Sequence, residues 1–239
     1  MSQPPRILLV ETSGSAGRVG LARGDELISR RALDPARRHA RDLAPAVKDL
    51  LAEVDWRPRE VTAVFASRGP GSYTGLRVGL MAAKAFAYAA RCDLLAVDTF
   101  AAIAAACPPS HSTVEVVADA LRGLIYAQRF ARGAATAWEQ VNDLAILPKG
   151  AWLTRLTSGT LVTGPGLSVV EGDLPLDTPV GPAAARDADL AGLLAVGLAR
   201  YERGEHSDIW SCEPLYLRRS SAEETWERKN SPPPGTAAP

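Results

Sequence analysis

The segment from residue 61 to residue 91 does most to limit the folds open to this chain. Residues 61–67 (VTAVFAS) are a short apolar, partly β-branched run of the length of a buried strand, and Arg68-Gly69-Pro70-Gly71-Ser72 breaks it sharply. A helical pattern follows from about Tyr73 to Arg91, with Ser72 placed to cap its first turn. A strand that passes through a glycine turn into a long helix belongs to an α/β arrangement, and its flanks agree. Residues 6–11 (RILLVE) end at Thr12-Ser13-Gly14 and read as a buried strand. Residues 18–23 and 27–33 follow, with Gly24-Asp25 between them as a hairpin signal, so a three-stranded meander opens the chain. Leu43, Val47, Leu50, Leu51 and Val54 recur at helical spacing. Pro45 is tolerated only in a first turn, which starts that helix near Arg41. A strand at 93–97 and a helix at 99–106, stopped by Cys107-Pro108-Pro109, complete the order βββαβαβα.

The prolines and polar residues at 108–112 divide the chain into a first unit at 1–107 and a second at 108–230. The second unit reads as strands at 114–119, 124–131 and 136–147, a helix at 149–156 and a strand at 161–163. Residues 164–186, rich in glycine and proline, read as loops with at most one strand. Residues 187–203 read as a helix, with Asp187 near its positive end. The ending at 231–239 (SPPPGTAAP) cannot pack and is expected to be disordered. One coarse echo joins the halves: ILLVETS and VVADALR each open a unit with a strand ending in an acidic residue.

Charge and cysteine content exclude several classes. Lys plus Arg and Asp plus Glu are equal at 27 each among 239 residues, so no overall basic surplus exists to hold nucleic acid unaided, although a local patch stays open. Three distant cysteines, Cys92, Cys107 and Cys212, form no CxxC pair; a disulfide framework or zinc cluster is not expected, and the reducing cytoplasm fits. No stretch reaches the roughly 18 apolar residues of a membrane helix. His39, His111 and His206 form no HExxH and no pair on one helical face, so no metal site is predicted.

Two loops could carry chemistry. Glu11-Thr12-Ser13-Gly14-Ser15 ends the first strand, and Gly69, Gly71 and Ser72 lie in the turn before the long helix. Glycines let backbone N–H groups approach an anion at a helix N-terminus, so this turn could cradle a phosphate; equally, the glycines could only make the turn and Ser72 only cap the helix. It is neither a Walker loop nor a GxGxxG. Asp119, ending a strand as Glu11 does, could face a central cleft or serve a turn. Gly75, Gly79, Ala83 and Ala87 form a small-residue stripe on the long helix, which suits either packing on the chain's own sheet or a helix–helix interface. The cluster Arg37-Arg38-His39-Arg41 could be a solvated face or meet RNA phosphates.

Four segments carry a family resemblance. LLVETSGSAGRVGLARGDELI resembles the opening of TsaB/YeaZ proteins, and SRGPGSYTGLRVGLMAAKAFAYA resembles their most distinctive segment. VVADALRGLIYAQRF is similar to their Asp-Ala-Arg-x-Gly-x-Val-Tyr stretch, and EPLYLRRSSAEETWERK to their usual ending. The resemblance implies an actin-like ATPase (ASKHA, ribonuclease H-like) fold of two similar α/β domains with mixed sheets. It also implies a non-catalytic subunit that pairs with the enzyme TsaD, which, with the ATPase TsaE, forms N6-threonylcarbamoyladenosine at position 37 of ANN-decoding tRNAs. TsaD binds its metal through a His-x-x-x-His pair that this chain lacks.

By the same resemblance, the two helices at 41–54 and 73–91 meet TsaD through Leu43, Val47, Leu51, Gly75, Arg77, Gly79 and Ala83, and could pair two copies when TsaD is absent. The nucleotide-facing loops would be Glu11, Thr12, Ser13, Gly69, Gly71, Ser72 and Asp119. No cofactor is expected on this chain alone, ATP or ADP has a place at the junction with TsaD, and tRNA is met only through the complex. Two departures favour a structural role: Glu11 replaces the aspartate usual at the first strand's end, and Leu121-Arg122-Gly123 replaces an arginine pair. The competing functions are a stand-alone actin-fold ATPase or kinase, using Glu11 and Asp119, and a peptidase, for which no triad can be proposed.

Overall fold

A computed structural model describes residues 3–34, 41–133 and 138–217. The Arg37-Arg38-His39 cluster, Thr136, and everything after Leu217, including the tail at 231–239, lie outside the described residues.

The first sheet has the order β3-β2-β1-β4-β5. Strands β1 (Arg6–Glu11), β2 (Arg18–Arg23) and β3 (Glu26–Ala32) form the antiparallel meander; β4 (Ala63–Gly69) and β5 (Asp93–Asp98) run parallel to β1. Helices α1 (Leu43–Glu53), α2 (Tyr73–Ala90) and α3 (Thr99–Ala105) make the connections. The second sheet is built likewise, from β6 (Thr113–Asp119), β7 (Leu124–Arg132), β8 (Trp138–Gln140), β9 (Ala145–Pro148) and β10 (Leu161–Thr163). Its order is β10-β6-β7-β8, with β9 also paired to β7. A parallel bridge from Val162 to Val180 adds a vestige of a fifth position beyond β10. Helices α4 (Lys149–Leu153), α5 (Leu167–Val170) and α6 (Leu190–Tyr201) complete the chain. This is the α/β, mixed-sheet, actin-like architecture.

Strand periodicity sorts the core into layers. Successive side chains of a strand point to opposite faces. Leu8 and Val10 of β1 therefore meet α1 and α2, while Ile7 and Leu9 face α3 and α6. Beyond α3 and α6 lies the inner face of the second sheet, through Val114, Val116 and Phe130. Its outer face packs Val117 and Ile125 against Trp152 of α4 and against Leu167 and Val170 of α5. Burying each such aliphatic side chain is worth roughly 1.5–3 kcal/mol, so the shared middle layer ties the two sheets into one body.

The structure differs from the sequence expectations in particular places. Helix α6, assigned from sequence to the second unit, packs on β1, β2, β4 and β5 of the first sheet. It spans Leu190–Tyr201 where the sequence reading began it at 187, and its cap is Asp189, whose Oδ1 accepts the Gly192 N–H at 2.8 Å. The single strand read at 136–147 is two short strands with a break at 141–144. Residues 164–186 contain α5 and two 3-10 turns besides loops. No helix among the described residues is long and apolar enough to cross a membrane.

Candidate functional site

The ends of β1, β4 and β6 converge on a cleft of about 770 Å³ between the two sheets. Its floor comes from two loops that meet backbone to backbone. The Ser72 N–H donates to the Ser13 carbonyl at 2.7 Å. A Cβ on Gly71 would lie 2.5 Å from that same oxygen, and one on Gly75 would lie 2.1 Å from the Thr12 carbonyl. Glycine at these two positions is therefore a condition of the approach. The Ser72 hydroxyl accepts the Gly75 N–H at 3.2 Å and caps α2, as its sequence position predicts.

Glu11 turns inward, away from the cleft. Its side chain is fully buried beneath the loop and does not line the cleft. One carboxylate oxygen accepts the Ser13 N–H at 2.6 Å and the Ser13 hydroxyl; the other has no hydrogen-bond partner among the described residues. Burial pushes its pKa up to about 7 against the opposing pull of the Ser13 hydrogen bonds, the nearby Ser67 hydroxyl and the Arg18 charge. Thr12 is buried too, with its hydroxyl against Gly79. Gly69 lies away from the cleft in left-handed backbone at φ 118°, under Leu215.

Of the loop residues named from sequence, the structure brings Ser13, Gly71, Ser72 and Asp119 to the cleft and withdraws Glu11, Thr12 and Gly69. Asp119 has both roles left open for it: it lines the cleft, and its Oδ1 accepts the Leu121 N–H at 2.7 Å to fix the β6–β7 turn. The sequence analysis did not find Tyr126, Pro165 or Asp187, which complete the opposite wall. A signal for that wall was present. Gly164-Pro165-Gly166 after β10 repeats Gly69-Pro70-Gly71 after β4, and Gly166 crosses Ala118 as Gly71 crosses Ser13.

The chemistry of this lining decides what it can hold. An actin-like fold implies a metal–nucleotide complex between its lobes. Here the described lining residues supply the carboxylates of Asp119 and Asp187, hydroxyls and glycine N–H groups, but no basic side chain. The strand-end acid is locked under Ser13, and Leu121 stands at the rim. No cationic side chain among these lining residues would meet a triphosphate directly, and the two carboxylates could meet it only through a bound metal ion.

A second site lies on the outer face of the first sheet. Helices α1 and α2 leave a groove of about 480 Å³ between them, lined by Leu43, Val47, Leu51, Trp56, Ala82 and Phe86 among others. Its lining is almost wholly apolar, with Lys48 at the edge. The glycine stripe of α2 does not face this groove. Gly75, Gly79 and Ala83 are buried, and a Cβ on Gly79 would lie 1.9 Å from the Thr12 hydroxyl. The stripe is thus own-chain packing, which overturns its assignment to a partner interface. Arg77 is exposed, 4.1 Å over the Tyr73 ring and bonded to the Tyr216 hydroxyl at 3.0 Å.

Comparison with known proteins fits this geometry. Residues 33–151 match the family described as TsaD, tRNA N6-adenosine threonylcarbamoyltransferase. The tRNA threonylcarbamoyladenosine biosynthesis protein TsaB of Bacillus subtilis is 27% identical over 92% of this chain and 97% of its own length. The Escherichia coli protein of the same name is 26% identical over 91% and 96%. The solved structure of YeaZ from Pseudomonas aeruginosa superposes with a TM-score of 0.76 at 24% identity, over 89% of this chain and 100% of that one. Over nearly its whole length the chain is similar to TsaB/YeaZ proteins. It has two surfaces of interest: a cleft without a basic lining, and an apolar groove between the two helices nearest its amino end.

Proposed function

We propose that this chain is the non-catalytic subunit that binds and supports a TsaD-type enzyme in forming N6-threonylcarbamoyladenosine at position 37 of ANN-decoding tRNAs, in the cytoplasm. The observation that carries this reading is the α1–α2 groove. An apolar concavity on two adjacent helices is the form in which a protein receives partner helices, and water covers it at a cost. Leu43, Val47 and Leu51 line it, so these three keep the role that the resemblance gave them, while Ala82, Ala85 and Phe86 replace the glycine stripe. The same groove could pair two copies of the chain when TsaD is absent. Support also comes from Glu11, whose carboxylate is turned inward, and from the acidic lining of the cleft. On this reading, adenine nucleotide belongs at the junction with TsaD, TsaE acts on the assembled pair, and tRNA is met through the complex.

The test is reconstitution from purified cognate TsaD, TsaE, threonylcarbamoyl-adenylate and tRNA, with and without this chain. Modification that requires the chain, which by itself turns nothing over, supports the proposal. Steady ATP consumption by the isolated chain would overturn it in favour of a stand-alone actin-fold ATPase or kinase. Ala85→Arg, at an exposed groove position, should leave the chain folded and abolish the TsaD complex on size-exclusion chromatography.

A further inference from the structure

We infer that the segment at 207–217 adds a second contact to the same pairing surface, with Trp210 as a preformed anchor for the partner chain. The inference rests on the pairing proposed above. The segment leaves the edge of β5, where the Ser207 N–H donates to the Leu94 carbonyl at 2.7 Å and the Ala96 N–H donates to the Ser207 hydroxyl at 3.0 Å. It then crosses α2 and ends with the Leu215 N–H donating to the Arg68 carbonyl at 2.7 Å.

Between those ends the backbone around Trp210 is held from both sides. The Asp208 carboxylate accepts the N–H groups of Trp210 at 2.9 Å and Ser211 at 2.7 Å, and these bonds hold its pKa below the usual range. From α2, the Lys84 ammonium donates to the carbonyls of Cys212 at 3.0 Å and Trp210 at 3.4 Å. Yet the Trp210 residue is 76% exposed. Its ring meets Tyr88 of α2 edge-on, 5.7 Å between centroids, and Tyr88 is itself 65% exposed.

A single exposed apolar residue needs no explanation, but an indole on a tethered backbone, resting edge-on against an exposed tyrosine, does. The backbone ordering that binding ordinarily requires has already occurred around Trp210, and tryptophan and tyrosine are the usual centres of binding energy at protein interfaces. Continuity names the occupant. Met81, Ala85 and Tyr88 are spaced four and three residues apart, so they form one ridge on α2; Ala85 lines the apolar groove, Met81 is 65% exposed, and Tyr88 carries the indole. A partner seated in the groove therefore abuts Trp210. Charge adds to this. Arg59 and Arg91 flank Tyr88 around a second depression of about 460 Å³, and neither guanidinium forms an ion pair among the described residues. The matching face is an apolar socket with an acidic rim.

The experiment measures the affinity of the full chain for the TsaD protein of the same organism by calorimetry. Trp210→Ala, and separately Tyr88→Ala, should keep the parent melting temperature and weaken Kd about thirtyfold. Arg59→Glu with Arg91→Glu should also weaken it, and the parent's affinity should fall with added salt. The groove variant Ala85→Arg separates the two claims. Loss of pairing in Ala85→Arg with Kd unchanged within about twofold in Trp210→Ala overturns the anchor and leaves the pairing intact. No effect of either variant overturns both. A Trp210→Ala change confined to self-association of the free chain, seen by sedimentation, would mean the patch serves a second copy and would overturn the anchor.

Discussion

At the residue scale, Glu11 and Gly75 show how far one side chain reaches. Glu11 has a pKa of about 7 in the fold against 4.5 for the free group, so between those values the folded chain holds a proton that the unfolded chain has released. Stability must then fall as pH rises through that window and level off above it, by about 3 kcal/mol if the whole shift is expressed. Glu11→Gln, which keeps an oxygen for the Ser13 N–H, should flatten the profile and melt above the parent at pH 8; parallel Tm–pH curves for the two proteins would refute this. Gly75→Ala tests the loop contact. Alanine suits a helix better by about 1 kcal/mol, but its Cβ would press on the Thr12 carbonyl, which is backbone and cannot swing away. Overpacking of this kind costs about 1–3 kcal/mol, so the variant should need less urea to unfold than the parent. The sequence could show that small residues recur every fourth position on α2. It could not show which neighbour they admit, because that depends on where β1 ends relative to the helix.

At the element scale, strands and helices with a strong period were legible. Residues 6–11 and 18–23 stand as read, and Ser72 caps α2, because a buried strand and a capped helix each carry their signal locally. The second sheet was harder to read, since part of its cohesion is polar. Glu115 on β6 is buried and accepts from Arg129 Nε of β7 at 2.7 Å and from Trp152 Nε1 of α4 at 3.1 Å. Nothing in a strand's alternation marks a buried glutamate as a tie between three elements. Glu115→Ala would strand a guanidinium and an indole N–H, a loss of about 3–5 kcal/mol by analogy with other broken buried pairs. Glu115→Gln should recover part of it by accepting from Trp152. Urea denaturation of the three proteins measures this, and near-equal midpoints for all would show the tie to be dispensable. The start of α6 was read three residues early for a related reason: two aspartates two residues apart could each open it, and only the geometry assigns the cap to Asp189 and the cleft to Asp187.

For the whole molecule, the repeated Gly-Pro-Gly turns and matching strand orders show two similar halves, but α6 makes them mechanically one. It follows the second sheet in sequence and packs against the first, beside α3, so the layer between the sheets is built from both halves of the chain. The sequence could not reveal this return, since a helix of Leu, Ala and Gly would cover either sheet. Gly197 sits at the tightest point, where a Cβ would come 2.4 Å from the Phe65 ring. Gly197→Val should therefore push α6 off β4, with a cost of about 1–3 kcal/mol. Because Val114, Val116 and Phe130 of the second sheet share that layer with Phe65 and Leu95 of the first, the loss should not stay local. Native-state hydrogen exchange should speed up by similar factors for the most protected amides of β1 and β4 and for those of β6 and β7. Faster exchange in the first sheet alone would mean that the halves open independently, and that partner binding on α1 and α2 is not felt at the inter-lobe cleft.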